Sequence, residues 1–245
     1  MKILVCISNV PDTTTKINFT DNNKTFNTAG VQFIINPYDE IALAKAVEIA
    51  EVKSGSVTVI TVGEVSAEPT IRKALAIGAT DAIRVNAHPR DGYFVAHQIA
   101  AHAKDAGYDM ILCGSESIDY NGSQVPAMIA ELLGIPSVSL IKKLEIEGSN
   151  AVVEREIEGG KEVVSVPFPV VLSTSEGTSE PKIPNMRGIM SARTKPLKVV
   201  EPIQVDEVVE FLSYDKPKPR GQVTLIDPND PGKLVELLHN EAKVI

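Results

Sequence analysis

Between residues 1 and 140 the chain repeats one pattern, a short and nearly unbroken apolar run followed by a helical stretch. The apolar runs are Lys2–Ile7, Ser56–Val62, Ala82–Val85, Met110–Cys113 and Val138–Leu140. Such runs are too short for helices and lack polar alternation, which marks strands buried on both faces. The helical stretches are Asp39–Val52, Glu68–Ile77, Tyr93–Ala106 and Pro126–Leu133, and Gly78, Gly107 and Gly134 end the last three. Glycine just past a helix accepts the left-handed conformation that closes its final turn. Strand–helix alternation with short connections predicts an α/β domain, a doubly wound and mostly parallel sheet of nucleotide-binding, Rossmann-like type. The 245 residues suit one such domain with appendages, and 43% hydrophobic residues are ample for its core.

The remaining segments differ in character. Residues 12–30, rich in Thr, Asn and Asp, read as a loop or hairpin excursion. Leu144–Glu147, Val152–Ile157 and Val163–Val166, separated by Gly148-Ser149-Asn150 and Gly159-Gly160, predict a small antiparallel meander within 141–173. Val170–Ser173 is placed at the sheet edge. In Glu180–Met190, two prolines and a glycine argue against regular helix and central strand, yet Ile183, Met186, Ile189 and Met190 are apolar. Either this loop folds onto its own core, or its braced backbone presents anchors to a partner at reduced entropic cost. After residue 200, Lys216-Pro217-Lys218-Pro219-Arg220-Gly221 reads as a stiff linker to a last helix, Pro231–Glu241. That helix either docks on its own domain or clasps a partner. The expected division is 1–200, including the meander and a recognition loop at 176–195, and 201–245 as linker and arm.

A net charge of −8 argues against general binding of nucleic acid or anionic membrane. No apolar run is long enough for a membrane span. The basic residues Arg187, Arg193, Lys195 and Lys198 are a local exception, either a steering patch for an acidic protein or a solvated face. Cys6 and Cys113 lie in apolar strands without CxxC or His/Cys neighbours, so they read as buried free thiols and no metal site is expected. The N-terminal apolar run reads as a strand and not a signal peptide. His88, His97, His102 and His239 are scattered, and no GxSxG elbow accompanies Ser115, Glu116 and Asp119. No catalytic constellation emerges. Glu154 and Glu156 alternate about Arg155 and share one strand face.

Doubly wound sheets bind ligands beyond the carboxyl ends of their strands. The suggestive ends are Ile7-Ser8-Asn9, Val62-Gly63, Gly114-Ser115 and the loop Ile118–Gln124. In that loop Gly122 and Ser123 permit close approach, and the amides of Ser123, Gln124 and Val125 face an anion at the helix start, where Pro126 suits the first turn. There is no GxxxxGK[ST] and no GxGxxG after a strand, so P-loop and ordinary nicotinamide or FAD Rossmann sites are disfavoured.

Glu180-Pro181, seven residues, Ile189-Met190 and the basic stretch after them resemble the signature loop of the electron transfer flavoprotein beta subunit. Met1–Ile7, Asn36–Ala42, Ile71–Ala79, Val153–Gly160 and Glu241–Ile245 match the same family in the same order, so the resemblance covers essentially the whole chain. It implies an electron carrier without a catalytic constellation of its own. Such a carrier pairs with an alpha subunit that supplies most contacts to a shared FAD. It takes electrons from acyl-CoA dehydrogenase-type donors, as in fatty acid oxidation, and passes them toward a quinone oxidoreductase. A bacterial member is expected in the cytoplasm and a eukaryotic one in the mitochondrial matrix.

The resemblance also implies a structural AMP. Cys6 and Asn36 border its adenosine with Val62 nearby, Tyr120, Ser123, Gln124 and Val125 form the phosphate-side loop, and Ser8, Ser115, Asp119 and Gly122 complete the set. This chain departs from common members at Val62 (often Cys), Ser123 (often Asn) and Val125 (often Thr). Gln124-Val125 is similar to the electron-bifurcating branch, which holds a second FAD instead of AMP, whereas Pro126 departs from that branch. Glu156 and Tyr38 are implied to contact the flavin domain. Met186 aligns with the family's leucine anchor, with Ile183, Arg187, Ile189 and Met190 beside it. A stand-alone adenine-nucleotide module of universal-stress type shares the strand pattern and the Gly114–Gln124 loop, but leaves the meander, apolar loop and arm unexplained.

Overall fold

A computed structural model describes all 245 residues. In chain order the elements are β1 (Lys2–Cys6), β2 (Asn9–Pro11), β3 (Phe19–Thr20), β4 (Thr25–Phe26), β5 (Phe33–Ile35), α1 (Pro37–Lys53), β6 (Ser56–Val62), α2 (Glu68–Ile77) and β7 (Asp81–Val85). Then come α3 (Gly92–Ala103), β8 (Met110–Gly114), α4 (Val125–Leu133), β9 (Ser137–Glu147), β10 (Asn150–Ile157), β11 (Gly160–Pro167), β12 (Val170–Thr174), α5 (Met186–Ala192), β13 (Leu197–Val200) and α6 (Pro231–Leu237).

Nine strands form one sheet in the order β11-β10-β9-β12-β8-β1-β6-β7-β13. From β12 to β13 the pairing is parallel, and β9, β10 and β11 pair antiparallel. Alternate residues of β1 point to opposite faces. Ile3 and Val5 join a core with Leu43 of α1 and Ile71 and Leu75 of α2, while Leu4 and Cys6 join one with Phe94 of α3 and Ile129 of α4. The near-continuous apolar strands therefore sit between two helical layers, as the sequence pattern requires.

Four expectations are corrected. Val138–Leu140 and Leu144–Glu147 are one strand, β9, which pairs parallel with β12 at its start and antiparallel with β10 beyond. Leu140 takes a positive φ of 60° between these two stretches, and the β9–β12 register shifts there. Val170–Ser173 lies within β12, an interior strand between β9 and β8 and not an edge. The sheet continues on its other side with β13, an edge strand pairing with β7, which the basic Lys195-Pro196-Leu197-Lys198 stretch concealed. Finally, α3 closes at Ala103, three residues before Ala106.

The chain divides into two compact units, residues 1–17 with 28–210 and residues 18–27 with 211–245. In the second, β3 and β4 form a hairpin whose turn residues Asp21, Asn22 and Asn23 all have positive φ, which Asn and Asp tolerate. Tyr214 stacks on Phe19 with ring centroids 4.9 Å apart, and its amide donates to the Asn23 carbonyl at 2.8 Å. Asp230 caps α6 by accepting from the Lys233 amide, and one π-turn, Leu238–Ala242, follows. None of residues 201–245 is buried. No helix is long and apolar enough to cross a membrane.

Candidate functional site

The carboxyl ends of β1 and β8 meet the start of α1, and Asp39 joins them. Its Oδ2 accepts from the Ser8 amide at 2.7 Å and its Oδ1 from the Gly114 amide at 2.9 Å. Asp39 is 5% exposed, and burial pushes its carboxyl up to about 7 against the opposing pull of those donors. Gly114 makes this possible. A Cβ there would lie 2.4 Å from Asp39 Oδ1 and 2.7 Å from Tyr38 Cβ, so only glycine lets α1 approach β8 this closely.

Asn36, buried just before α1, ties the next loop to this floor. Its Nδ2 donates to the Glu116 carbonyl at 2.7 Å, and its Oδ1 accepts from the Ile118 amide at 3.2 Å. Its amide group thus shapes the loop. Ser115 is buried and its amide donates to the Thr174 carbonyl at 2.9 Å. Ser117 and Gly122 bridge across the loop, and the Ser117 hydroxyl donates to Asp119. The Tyr120 ring lies over Gly122, whose built Cβ would fall inside it. Burial, then the carboxylates of Asp119, Asp39 and Asp91, push the Tyr120 phenol up to about 12. Gln124 packs against Gly92 at the start of α3, and α4 begins after it with no side-chain cap. The amides of that first turn are donors no side chain caps.

Of the expected crevice residues, Ser8 lies at the β1 end, Asn36 just before α1, Ser115, Asp119, Tyr120, Gly122, Ser123 and Gln124 on the β8–α4 loop, and Val125 at the start of α4. Cys6 and Val62 are buried beneath, in the core of α3 and α4. Both cysteines are free and buried. The Cys6 thiol is pushed well up by its hydrogen bond to Cys113 and by burial, so it packs rather than reacts. No cluster of three or more His, Cys, Asp or Glu is arranged to hold a metal.

The loop from 176 to 195 is built differently from its expectation. It contains α5, a regular helix with Gly188 inside it. Pro181 and Pro184 precede the helix, and Asn185 caps it by accepting from the Gly188 amide at 2.8 Å. The approach is braced by Thr178 Oγ1 to the Ile141 carbonyl at 2.6 Å, Ser179 Oγ to Glu48 at 2.7 Å and Lys182 to Glu51 at 3.4 Å. Ile183, Met186, Ile189 and Met190 all stay exposed, Met186 at 73%, and of α5 only Ala192 is buried. The loop is not folded into the core. Lys195 leaves the basic run expected there, because its Nζ turns inward to the Leu75 and Ala79 carbonyls at 2.8 and 2.6 Å.

Glu156 and Tyr38 are not in contact, but adjacent strands connect them. Thr174 Oγ1 donates to the Tyr38 carbonyl at 3.3 Å, and Thr174, Ile141 and Arg155 lie in register across β12, β9 and β10. Two strand spacings of about 4.8 Å put this path near 10 Å. Glu154 is held between Lys143 and Lys161, whereas Glu156 keeps its side chain 65% exposed and reaches only Lys142, at 3.5 Å. The two glutamates share a face and do different things. Asp39, Arg72 and Gln98 were given no role from sequence, and Gly114 was noted only as part of a suggestive strand end. Of these, Asp39 had a signal, an acidic residue in the first turn of α1 directly after Asn-Pro-Tyr.

The model of the Electron transfer flavoprotein domain matches residues 23–205. The electron transfer flavoprotein subunit beta of Bacillus subtilis (strain 168) is 37% identical over 232 residues, 88% of this chain and 90% of that protein. Its counterpart in Syntrophomonas wolfei is 34% identical over 250 residues, 100% of this chain and 98% of that one. The counterpart in Bradyrhizobium diazoefficiens is 32% identical over 249 residues and covers 100% of both. By the family model and these relatives, this chain belongs to the electron transfer flavoprotein family, among its beta subunits.

Proposed function

We propose that this chain is the beta half of a heterodimer whose alpha subunit shares one FAD with it. The pair carries electrons from acyl-CoA dehydrogenase-type donors toward a quinone oxidoreductase, in the bacterial cytoplasm or, for a eukaryotic member, the mitochondrial matrix. The beta chain serves as scaffold and docking platform, and the flavin, when bound, supplies the redox chemistry. The observation that carries this reading is the arm. No residue from 201 to 245 is buried, yet Phe211, Leu212, Val223, Leu225 and Leu234 are apolar and Leu225 is 91% exposed. Burying those five side chains against a partner is worth on the order of 10 kcal/mol before the entropy of association is subtracted. Deleting residues 217–245, which removes Val223, Leu225 and Leu234, should therefore cut co-purification of the alpha chain sharply. Alpha recovered at normal yield refutes the clasp.

The crevice is read as the AMP site. Support comes from the uncapped start of α4, the small residues Ser115, Gly122 and Ser123, and the floor made by Ser8, Asn36 and Asp39. Cys6 and Val62 back the adenosine, and Asp119, Tyr120, Gln124 and Val125 line the phosphate side. Val125 packs its apolar side chain on the α3–α4 core and offers no hydroxyl to a phosphate, which favours the second reading, a second FAD. Denaturing the heterodimer and counting ligands separates them. One FAD and one AMP are expected; two FAD and no AMP reverse the assignment. Tyr38 and Glu156 are assigned to the flavin domain.

Ile183, Met186, Arg187, Ile189 and Met190 are assigned to dehydrogenase docking. Burying Met186 is worth about 1.5–3 kcal/mol, enough for brief contact. Met186→Ala should raise the concentration of flavoprotein that half-saturates its dehydrogenase while bound flavin stays at wild-type content. Dehydrogenase-driven reduction at wild-type rates refutes the anchor.

A further inference from the structure

Helix α5 has seven residues, and isolated helices that short are unstable in water. A surface helix is normally held by an apolar stripe against the core. Here Met186, Ile189 and Met190 face away from the core and only Ala192 is buried. Something other than apolar burial must keep α5 in place.

Polar contacts with α2 do this in both directions. Arg72 of α2 donates through Nη1 to the Ala192 and Lys195 carbonyls, both at 2.8 Å, just where α5 ends. Lys195, just past α5, donates through Nζ to the Leu75 and Ala79 carbonyls, just where α2 ends. Each helix has its C-terminal carbonyls satisfied by a cation from the other, the favourable end of the helix dipole for a positive charge. Gly188 completes the fit, because a Cβ there would stand 2.3 Å from the Ala76 carbonyl oxygen, so the two backbones are in direct contact. Immediately beyond, the Ala82 amide donates to the Pro196 carbonyl at 3.0 Å and β13 joins β7.

We infer that Arg72, Lys195 and Gly188 are positioning residues for docking. A cross-capped mount fixes α5 without using its apolar side chains, and so leaves them free for the dehydrogenase. This rests on the docking role proposed above. Met186 is the first residue of α5 and Met190 lies one turn on, so the mount sets the anchors' relative orientation. A preorganised anchor loses less entropy on association.

The test uses the intact heterodimer and its dehydrogenase, with Arg72→Ala, Gly188→Ala and Met186→Ala compared. Arg72→Ala should raise the half-saturating concentration about tenfold, equivalent to about 1.4 kcal/mol, with the rate at saturation held. Arg72→Lys keeps a cation on the same turn and should restore part of the loss. Amide hydrogen exchange at Ile189–Lys195 should quicken in Arg72→Ala and Gly188→Ala without any partner present. Met186→Ala should weaken docking and leave that exchange slow. If Met186→Ala weakens docking while Arg72→Ala and Gly188→Ala change neither exchange nor half-saturation, the mount is wrong and the docking loop stands. If Met186→Ala itself has no effect on half-saturation, the docking assignment falls and this inference with it.

Discussion

Gly114→Ala adds one methyl group at the junction on which the crevice depends. The new Cβ would lie 2.4 Å from Asp39 Oδ1, 2.7 Å from Tyr38 Cβ and 2.8 Å from the Asp39 amide nitrogen. None of these atoms is the loose end of a flexible side chain. Ordinary contact requires about 3.4 Å or more, so the first turn of α1 must retreat by roughly 1 Å. At that displacement the bonds from Ser8 and Gly114 to Asp39, now 2.7 and 2.9 Å, are lost or badly stretched. Each buried donor stranded this way costs about 1–3 kcal/mol, and overpacking adds about 1–3 more. A total of roughly 3–9 kcal/mol corresponds to a fall in Tm of about 6–36 °C for a chain of this size. Thermal unfolding of the heterodimer, followed with the count of retained adenylate, measures both consequences. Gly160→Ala is the control, since a Cβ there meets nothing within 4 Å and its φ is not positive. A Gly114→Ala Tm within about 1 °C of wild type would refute the argument that this close approach holds the site together.

Two other perturbations probe the same framework. Asp39 holds its proton up to about 7 in the fold against an ordinary 3.8, so the native state binds more protons than the unfolded chain between those values. Its contribution to stability is full below about pH 4 and is lost as the pH rises to about 7, on the order of 4 kcal/mol. Asp39→Asn should flatten that slope in urea unfolding at about pH 4.5 and pH 8; parallel profiles for the two proteins would sink the reading. Gln98, fully buried, both donates to and accepts from the Ile203 backbone at 2.8 Å and so fixes the segment leading to the arm. Gln98→Ala should cost about 1–3 kcal/mol and expose residues 201–210 to proteolysis, and unaltered digestion there would contradict it.

Much of this architecture was legible in local pattern, and what escaped has specific physical reasons. The strand–helix alternation through α4 is written in burial periodicity, which needs no knowledge of neighbours. Strand β9 was cut in two because Leu140 and the polar Lys142-Lys143 pair look like a break. Only pairing with β12 on one side and β10 on the other carries one strand through the shift at Leu140. Helix α5 was hidden because two prolines and Gly188 carry loop propensity. Its helical state comes from Arg72 and Lys195, which lie 123 residues apart. The same separation disguised Lys195 as one more exposed cation. Asp39 was given no role from sequence, and its perturbation depends on burial against β8, where Gly114, 75 residues away, leaves room for it.

The sequence by itself determined the α/β class and the order of strands and helices through α4, and it placed apolar side chains in Glu180–Met190 and in the segment after residue 200. Each of those follows from residue type and short-range spacing, and residue type sets which groups must leave water. Tertiary structure alone decided how they are held. Asp39 as the bolt between β1 and β8, the two cations that cross-cap α2 and α5, and the second role of β9 all arise from contacts between segments far apart in the chain. Local propensity cannot encode such contacts, because the energy of a buried charge or a helix end is set by whatever group the fold brings beside it.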